Sequence, residues 1–332
     1  MNRITVAGNL IVDFVKSISS YPEQGTLASI TGLSRGVGGC AANTAVDLAL
    51  MDDDLRVRSI GRVGDDDNGR YIVDTLTRAG VLCDAITDRR RATSFTDVMN
   101  NQDGGERTFF HYRGANAFFC PEDIDIAALD CDLFHIGYIL LLDDFDREDP
   151  EYGTRMARTL AAVKSRGIKT SFDVVSEHGD RFGRIVTPSL KYCDYLIINE
   201  LESSSVTGIA ARDDHGQIID NNIWLICNKL LSMGVGELVA IHAPEAGWAL
   251  RKNGEFTRVQ SADLPADLIK GKVGAGDAFC AGMLYAICKG YDLRYSLRYA
   301  AAAAACNLTE ANSIDGMRNR SGIVAMMDQW VK

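Results

Sequence analysis

Short apolar runs rich in β-forming residues alternate with longer helix-type patterns along most of this 332-residue chain. Such an alternation is typical of a parallel sheet whose faces are covered by helices. Strands are predicted at residues 3–7, 56–60, 133–136, 169–173, 195–198 and 237–241. Helices are predicted at residues 41–51, 71–79, 154–165, 222–233, 277–289 and 293–308. The pattern therefore predicts an α/β fold with a central, mostly parallel sheet.

Two segments interrupt this alternation, residues 14–34 and 93–113, which are richer in β-branched and turn-forming residues. Within the second segment, Asn-Gln-Asp-Gly-Gly at residues 101–105 separates two apolar runs, which is a strong hairpin signal. A hairpin inserted in an α/β core usually forms a small sheet outside that core. Its role is either a lid over a pocket or an oligomer contact, and the two roles are compatible. Since the chain has no internal repeat or linker, residues 1–332 are expected to form one domain.

The charge and cysteine content limit the classes of partner and compartment. A formal net charge of −10 argues against nucleic acid or an anionic membrane as the main partner, because both favour clustered lysine and arginine. The nine cysteines are irregularly spaced and form no C-x-x-C motif, which favours a reducing compartment. No segment has the length of a membrane span, and residues 1–15 lack the basic start and cleavage site of a signal peptide. We therefore expect a soluble, cytoplasmic protein.

The strongest chemical motif is Gly-Ala-Gly-Asp-Ala-Phe at residues 274–279, directly before a predicted helix. Small residues allow the backbone to approach a ligand closely, and the free amides at a helix start attract an anion. Asp277 is placed there to accept a proton from an attacking hydroxyl. The alternative is that Asp277 is only the N-cap of the helix after a glycine turn, which is a common arrangement.

A second glycine motif, Gly-Val-Gly-Gly-Cys-Ala-Ala-Asn at residues 36–43, also precedes a predicted helix. It fits the dinucleotide fingerprint G-x-G-x-x-A only superficially, because that fingerprint directly follows a strand in the first βα turn. Here the first predicted strand ends near Gly8, and the residues before Gly36 are polar and interrupted by glycine. The favoured interpretation is a tight turn that directs Asn43 toward a polyhydroxyl ligand.

A third motif, Asn-Glu-Leu-Glu at residues 199–202, follows the predicted strand at residues 195–198. Open α/β sheets bind ligands at the carboxyl ends of their strands. Oxygen ligands there suit Mg²⁺, which keeps several of its waters. Asn199 and Glu202 are therefore candidates to hold Mg²⁺ through water, and the alternative is a capped helix start with two solvated glutamates.

Together these motifs resemble those of the ribokinase-like (PfkB) carbohydrate kinases, and the resemblance spans nearly the whole chain. Gly8 and Asp13 resemble the family's opening strand with its substrate-binding aspartate. The further matches are Gly38, Gly39 and Asn43 with the N-terminal signature, residues 61–65 with G-x-x-G-x-D, Asn199 and Glu202 with N-x-x-E, and Gly274, Ala275, Gly276 and Asp277 with the C-terminal signature. Five weak motifs in the family's order are hard to obtain by chance.

The resemblance implies a ribokinase-like three-layer fold with a small β-lid, a homodimer formed through that lid, and phosphoryl transfer from ATP with Mg²⁺. It implies Asp277 as the catalytic base, and Gly274, Ala275 and Gly276 as the anion hole. The implied contacts to a sugar-like substrate are Asp13, Gly38, Gly39, Asn43 and Arg113. The implied nucleotide site comprises Asn199, His242, Lys272, Cys306 and Asn312, with adenine bordered by residues 301–307 and 312–316. For Arg113, a solvated surface position on the hairpin is the alternative.

The sequence departs from the family pattern at three places. Gly271-Lys272-Val273 stands where relatives usually carry Asp-Thr, which leaves open whether a monovalent cation binds. Lys272 is predicted to act as a point charge on phosphate, or alternatively to point to solvent. Residues 242–247 replace a glycine-containing turn of the nucleotide pocket, and Cys40 stands where ribokinases often carry lysine. Ribose is therefore not favoured over other acceptors.

Three functions remain open from the sequence. A kinase that phosphorylates a hydroxyl of a sugar or sugar acid, as fructokinases and ribokinases do, is favoured. A nucleoside kinase of the same fold would need an apolar wall for the base, which Phe14, Phe110 and Tyr112 can supply. A catalytically silent regulatory member is disfavoured, because such a protein has no need of Asp277.

Overall fold

The computed structural model describes residues 1–101, 107–177 and 179–332. Its strands are β1 (Arg3–Gly8), β2 (Ile11–Ile18), β3 (Ile30–Gly38), β4 (Arg56–Gly64), β5 (Leu82–Asp88), β6 (Phe95–Asn101), β7 (Arg107–Tyr112), β8 (Leu133–Ile139), β9 (Glu148–Asp149), β10 (Gly153–Thr154), β11 (Lys169–Val174), β12 (Tyr195–Asn199), β13 (Leu238–His242), β14 (Ala246–Arg251) and β15 (Phe256–Gln260). Residues 102–105 of the predicted hairpin turn lie outside the described residues.

The helices are α1 (Cys40–Met51), α2 (Asp67–Arg78), α3 (Arg155–Ser165), α4 (Phe182–Ile185), α5 (Thr187–Leu190), α6 (Glu200–Thr207), α7 (Asp220–Ser232), α8 (Ala275–Lys289), α9 (Leu293–Leu308) and α10 (Arg320–Trp330). Short 3₁₀ turns occupy Gly114–Phe118, Pro121–Asp123, Ile126–Ala128 and Ala266–Leu268. Polar side chains at Asp66, Thr154 and Asp292 begin α2, α3 and α9 by accepting a backbone N–H of the first turn. Among the helices of the described ranges, none combines the length and hydrophobicity needed to cross a membrane.

A large sheet forms the centre of the molecule, and in the described residues its strand order is β15-β14-β13-β12-β11-β8-β1-β4-β5. The strands from β13 to β5 pair in parallel, whereas β14 and β15 extend the β13 edge in antiparallel fashion. The prediction of a mostly parallel α/β sheet is therefore confirmed. Strands β5, β14 and β15 were not predicted.

Helices cover both faces of this sheet, which gives three layers. One face packs against α1, α2, α8, α9 and α10, and the other packs against α3, α6 and α7. Because side chains alternate along a strand, Tyr195 and Ile197 of β12 enter the first core while Leu196 and Ile198 enter the second. A strand buried on both faces needs a continuous apolar run, and β12 has one.

A second, smaller sheet lies beside the main one and is called the lid sheet below. In the described residues it contains four strands in the order β3-β2-β6-β7. Strand β2 continues from β1 after Asn9 and Leu10, and β3 leads through Gly39 into α1. The lid sheet is thus anchored where β1 ends and where α1 begins.

Candidate active site

A cavity of about 480 Å³ opens between the carboxyl ends of the central strands and the lid sheet. Asp173, Asn199 and His242, at the ends of β11, β12 and β13, line it on one side. Residues of β2, β6 and β7 line it on the other side. Open α/β sheets bind ligands at this edge, and the volume lies in the range of small-molecule sites.

Asp277 lies in this cavity in the first turn of α8 and is buried. The Asn43 side-chain amide donates to Oδ2 of Asp277 at 2.8 Å. The Tyr138 hydroxyl lies 2.7 Å from Oδ1 and 2.9 Å from Oδ2, so it donates its single proton between them. Three elements that are distant in the chain, α1, β8 and α8, thus fix the orientation of one carboxyl group.

The environment of Asp277 shifts its proton affinity toward neutral pH. Burial, followed by the repulsion from Asp173, raises the pKa of Asp277 to about 6. The hydrogen bonds from Asn43 and Tyr138 act in the opposite direction, because they stabilise the charged form. A carboxylate with this pKa is ionised at pH 7 and still basic enough to accept a proton in a reaction.

The glycines before α1 leave room for the Asp13 side chain and for the backbone of Asn9. A Cβ atom on Gly38 would lie 2.2 Å from Oδ2 of Asp13, so any larger residue there would displace the Asp13 carboxylate. Asp13 of β2 lines the cavity, and burial raises its pKa to about 6 while its hydrogen bond with Thr96 lowers it. Asn43 follows one turn into α1 and is also buried in the cavity wall. Asp13 and Asn43, two of the polar residues predicted to contact the acceptor substrate, therefore line the same cavity.

The lid sheet also contributes a wall that the sequence did not single out. Phe109 and His111 of β7 line the cavity because alternate side chains of a strand face the same side. Nδ1 of His111 lies 3.0 Å from Oγ1 of Thr96, and burial lowers the pKa of His111 to about 4. A neutral imidazole and an aromatic ring therefore face the acceptor side of the cavity.

The glycine motif at the start of α8 forms a concave backbone surface. Gly274 is the N-cap residue with φ +81°, a left-handed conformation that favours glycine. The first amides of a helix have no acceptor within it, so those of Ala275, Gly276 and Asp277 are available to an anion. The His242 ring packs beside this turn, 4.9 Å from the Phe279 ring, and burial lowers its pKa to about 4.

Asn199 and Glu202 form a capping box at the start of α6. Oδ1 of Asn199 accepts from the Glu202 amide at 2.8 Å, and Oε2 of Glu202 accepts from the Asn199 amide at 3.0 Å. Ser176 joins them, since its hydroxyl donates to Oε1 of Glu202 at 2.8 Å. The alternative prediction was a capped helix start with two solvated glutamates. The cap is present, but the glutamates are not solvated, because Glu200 and Glu202 are both buried.

A positive partner near Glu202 would offset the cost of its buried charge. Burial raises the pKa of Glu202 to about 8, so its charged form is costly without a positive partner. Both Asn199 and Glu202 line the cavity. Because their side-chain oxygens already accept hydrogen bonds, contact through water suits them better than direct coordination.

Several predicted contacts do not reach the cavity. Arg113 donates to Oδ1 of Asp143 at 2.5 Å on the surface and does not line the cavity, so its contact with substrate stays a prediction. Cys306 is fully buried within α9, where packing holds its side chain in the core. Asn312 closes a local turn by donating to Asp315 and lines a second cavity instead. Lys272 is exposed, and its contact with phosphate stays a prediction.

The aromatic residues predicted to form a wall for a nucleoside base do not line the cavity. Phe14 and Tyr112 pack against Phe95, with ring centroids 6.0 and 5.3 Å apart, and neither lines the cavity. Phe110 is exposed on the opposite side of β7. Phe109 is the aromatic residue of β7 that lines the cavity, because side chains alternate along the strand and the odd-numbered ones face the cavity.

Sequence patterns missed Tyr138 and Asp173, which shape the site as strongly as the motif residues. Both lie at or near the carboxyl end of a predicted strand, and that position was the one available signal. Neither belongs to a glycine motif or a recognisable spacing. Their role becomes visible only when β8 and β11 are placed side by side.

Comparison with known proteins agrees with this architecture. Residues 1–320 match the pfkB family carbohydrate kinases. A ribokinase of Arabidopsis thaliana is 27% identical over 329 residues, which cover 98% of this chain and 80% of that protein. Fructokinase-2 of Oryza sativa is 25% identical, covering 95% of this chain and 91% of that protein. The 5-dehydro-2-deoxygluconokinase of Shouchella clausii is 24% identical, covering 88% and 86%.

Solved structures show the same fold. The Arabidopsis thaliana ribokinase complexed with ribose and ATP superposes with a TM-score of 0.77 at 22% identity, covering 98% of each chain. A Burkholderia thailandensis nucleoside kinase in complex with inosine gives 0.75 at 18% identity, covering 98% of this chain and 96% of the other. These likenesses establish the ribokinase-like fold alone, whereas the family match spans nearly all of the sequence. The chain therefore belongs to the pfkB family of carbohydrate kinases.

Proposed function

We propose that this protein transfers the γ-phosphoryl group of ATP to a hydroxyl of a sugar or sugar acid, with Asp277 as the general base. The observation that carries this proposal is the buried Asp277 carboxyl, held by Asn43 and Tyr138 at the N-terminus of α8. Asp277 accepts the hydroxyl proton, the oxygen attacks the γ-phosphorus, and the bond to the bridging oxygen of ADP breaks. The amides of Ala275, Gly276 and Asp277 face the charge that develops on the transferring group.

Asp13 and Asn43 are the proposed hydrogen-bonding groups for the sugar hydroxyls. Both line the cavity on the lid side of Asp277, and Gly38 and Gly39 allow the backbone to approach them closely. Carboxylate and amide groups suit vicinal hydroxyls because they accept and donate in fixed directions. Phe109 and His111 line this part of the cavity, and Phe109 is exposed in the single chain.

The nucleotide phosphates need a positive partner, because the cavity is acidic. Its lining includes Asp13, Asp173, Glu202 and Asp277, and among the described lining residues there is no lysine or arginine. Mg²⁺ held through water by Asn199 and Glu202 would supply the charge neutralisation that a polyphosphate requires. His242 lies beside Gly276 in the cavity wall. Lys272, which is exposed two residues before Gly274, is proposed to contact phosphate from the surface.

The protein is proposed to act in the cytoplasm as a homodimer joined through the lid sheet. All nine cysteines are free thiols, which suits a reducing compartment. Strands β3 and β7 are the edges of the lid sheet, and edge strands invite pairing. Leu33 on β3 and Phe110 on β7 are exposed apolar side chains at these edges. Burying them against a second copy would remove this apolar surface from water.

A coupled assay of ADP release over a panel of sugars, sugar acids and nucleosides tests the proposed reaction. A sugar or sugar acid should give the highest kcat/KM. A nucleoside as the best acceptor would replace the sugar proposal, and the Phe109 ring in the cavity is the feature that would favour it. Absence of ADP release with every acceptor would contradict kinase activity.

Replacing Asp277 with asparagine tests the assigned base. The Asp277→Asn variant should keep its fold and bind ATP, and its kcat should fall by at least about 10²-fold because the amide accepts no proton. Steady-state kinetics and ATP titration calorimetry measure the two effects separately. Near-normal turnover would show that Asp277 is only a helix cap.

A further inference from the structure

Side chains of the types that bind metal ions cluster at the inner wall of the cavity, next to the proposed active site. It consists of Cys40 at the start of α1, His135 on β8 and Asp173 on β11. One potential ligand atom from each lies within 4.8 Å of the other two. Cys280 of α8 joins them, because its Sγ atom is 3.8 Å from Nε2 of His135. Three side chains from three elements therefore converge on one point, and Cys280 borders this group through its contact with His135.

Two of the distances between these side chains are close to the ligand–ligand edges of a tetrahedral metal site. Nε2 of His135 is 3.5 Å from Oδ2 of Asp173 and 3.8 Å from Sγ of Cys280. Around a zinc ion with ordinary bond lengths, the corresponding N–O and N–S edges measure about 3.3 and 3.6 Å. The observed distances need to contract by only a few tenths of an ångström to match.

The second nitrogen of His135 has its own partner. Nδ1 of His135 lies 3.0 Å from the hydroxyl of Ser171, which can accept its proton. With that proton on Nδ1, the lone pair of Nε2 points into the cluster. Metal-binding histidines are oriented in this way, by a hydrogen bond from the nitrogen that does not bind the metal.

An unsatisfied polar atom points to a missing ligand. Oδ1 of Asp173 has no hydrogen-bond partner among the described residues, although Asp173 is only 7% exposed. It packs against the backbone of Gly137, where a Cβ would lie 1.7 Å away. A buried carboxylate oxygen without a donor is costly, and a cation is the partner that removes this cost.

We propose that Cys40, His135, Asp173 and Cys280 bind one thiophilic divalent cation, of which Zn²⁺ is the best match. Two sulfurs, one imidazole and one carboxylate suit Zn²⁺, whereas Mg²⁺ prefers oxygen ligands alone. Cys40 and His135 are completely buried, and Asp173 and Cys280 line the cavity, which provides the route of entry. This site is distinct from the water-mediated Mg²⁺ position at Asn199 and Glu202.

The proposed ion would connect the elements that hold the catalytic base. Cys40 begins the helix that carries Asn43, and Cys280 lies one turn after Asp277 in α8. His135 precedes Tyr138 on β8. Occupancy therefore cross-links α1, β8, β11 and α8 and stabilises the arrangement around Asp277.

Titration of the full-length, chelator-treated protein with Co²⁺ tests the site, because Co²⁺ bound by thiolate gives an intense charge-transfer absorption. One equivalent of Co²⁺ should produce this band, Zn²⁺ should abolish it by displacement, and excess Mg²⁺ should not. Cys40→Ala and Cys280→Ala should each weaken the band and lower the Co²⁺ affinity by more than about 10-fold. Ser171→Ala should lower the affinity by about 10-fold, the usual effect of losing an orienting partner.

Cys227→Ala is the matched control, because Cys227 is equally buried but belongs to α7 in the other core. It should keep the full band and affinity. The absence of a thiolate band in the wild-type protein, or its persistence in a Cys40→Ala/Cys280→Ala double variant, would overturn the proposal. The wild-type titration decides even if a ligand variant fails to fold, since it requires no substitution.

Discussion

The Asp277 carboxyl group is balanced between burial, which favours its neutral form, and two hydrogen bonds that favour its charged form. Burial is the stronger influence, so its pKa lies at about 6. A base with a much lower pKa would be ionised at pH 7 but would attract the substrate proton weakly. The donors Asn43 and Tyr138 keep the group ionised at pH 7 while holding it in place.

The pH dependence of the reaction should report this balance. Only deprotonated Asp277 accepts a proton, so kcat/KM should rise with pH through about 6 and then level off. In Tyr138→Phe, the acidic limb should move to higher pH by about one pH unit, because a hydrogen bond to a charged group contributes about 1.5 kcal/mol. Profiles of kcat/KM against pH, recorded from about pH 5 to about pH 9, measure this shift.

Tyr195→Phe is the control for that shift. Its hydroxyl also donates to a carboxylate, Oε2 of Glu237 at 2.8 Å, but the pair does not line the cavity. The acidic limb of this variant should coincide with that of the wild type. An unmoved limb in Tyr138→Phe would mean that another group controls the profile.

Sequence patterns at this scale identified residues that sit in motifs and missed those that do not. Asp277 and Asn43 each follow a glycine run before a helix, so their positions were predictable. Their direct hydrogen bond was not, because 234 residues separate them and only the packing of α1 beside α8 brings them together. Tyr138 carries no local pattern and was found only in the structure.

At the scale of elements, local sequence was most informative for long helices. Helix α9 has the predicted bounds of residues 293–308, because it is rich in alanine and leucine and begins at the capping residue Asp292. The antiparallel strands β14 and β15 were not predicted. Strand β14 lacks β-branched residues and β15 is a short, mostly polar run, so pairing along β13 determines their structure.

The antiparallel pair β2–β3 supports a prediction about the acceptor site. Gly38→Ala places a Cβ 2.2 Å from the Asp13 carboxylate, so Asp13 must move. We expect the KM for the acceptor to rise about 10-fold or more, since the loss of one hydrogen bond between charged and polar groups costs at least about 1.4 kcal/mol. The KM for ATP should change little. Substrate titrations at saturating ATP measure the effect.

Gly32→Ala in the same strand is the matched control. A Cβ there lies 3.4 Å from the Ser17 side chain, an ordinary van der Waals contact, and Gly32 does not line the cavity. Its kinetic constants should equal those of the wild type. If Gly38→Ala and Gly32→Ala behave alike, then Asp13 does not bind the acceptor.

At the scale of the whole molecule, the lid sheet has two different faces. Side chains of β2, β6 and β7, including Asp13, Thr96 and His111, face the cavity. Other side chains of the same strands, such as Phe110 and Tyr112, are exposed in the single chain. Because both sets belong to one sheet, any contact that holds the exposed face also restricts the groups that line the cavity. Assembly and acceptor binding are therefore expected to be coupled.

This coupling predicts that disrupting the proposed dimer weakens acceptor binding. A Leu33→Glu/Phe110→Glu double variant places charges on the exposed apolar positions of β3 and β7, where a partner could bury them only at high cost. It should sediment as a monomer at micromolar concentration, and its KM for the acceptor should rise while its thermal stability stays close to that of the wild type. Leu201→Glu, which charges a leucine on α6 outside the lid sheet that is as exposed as Phe110, should remain dimeric with unchanged KM. A monomeric wild-type protein would refute the dimer, and a monomeric double variant with unchanged KM would refute the coupling.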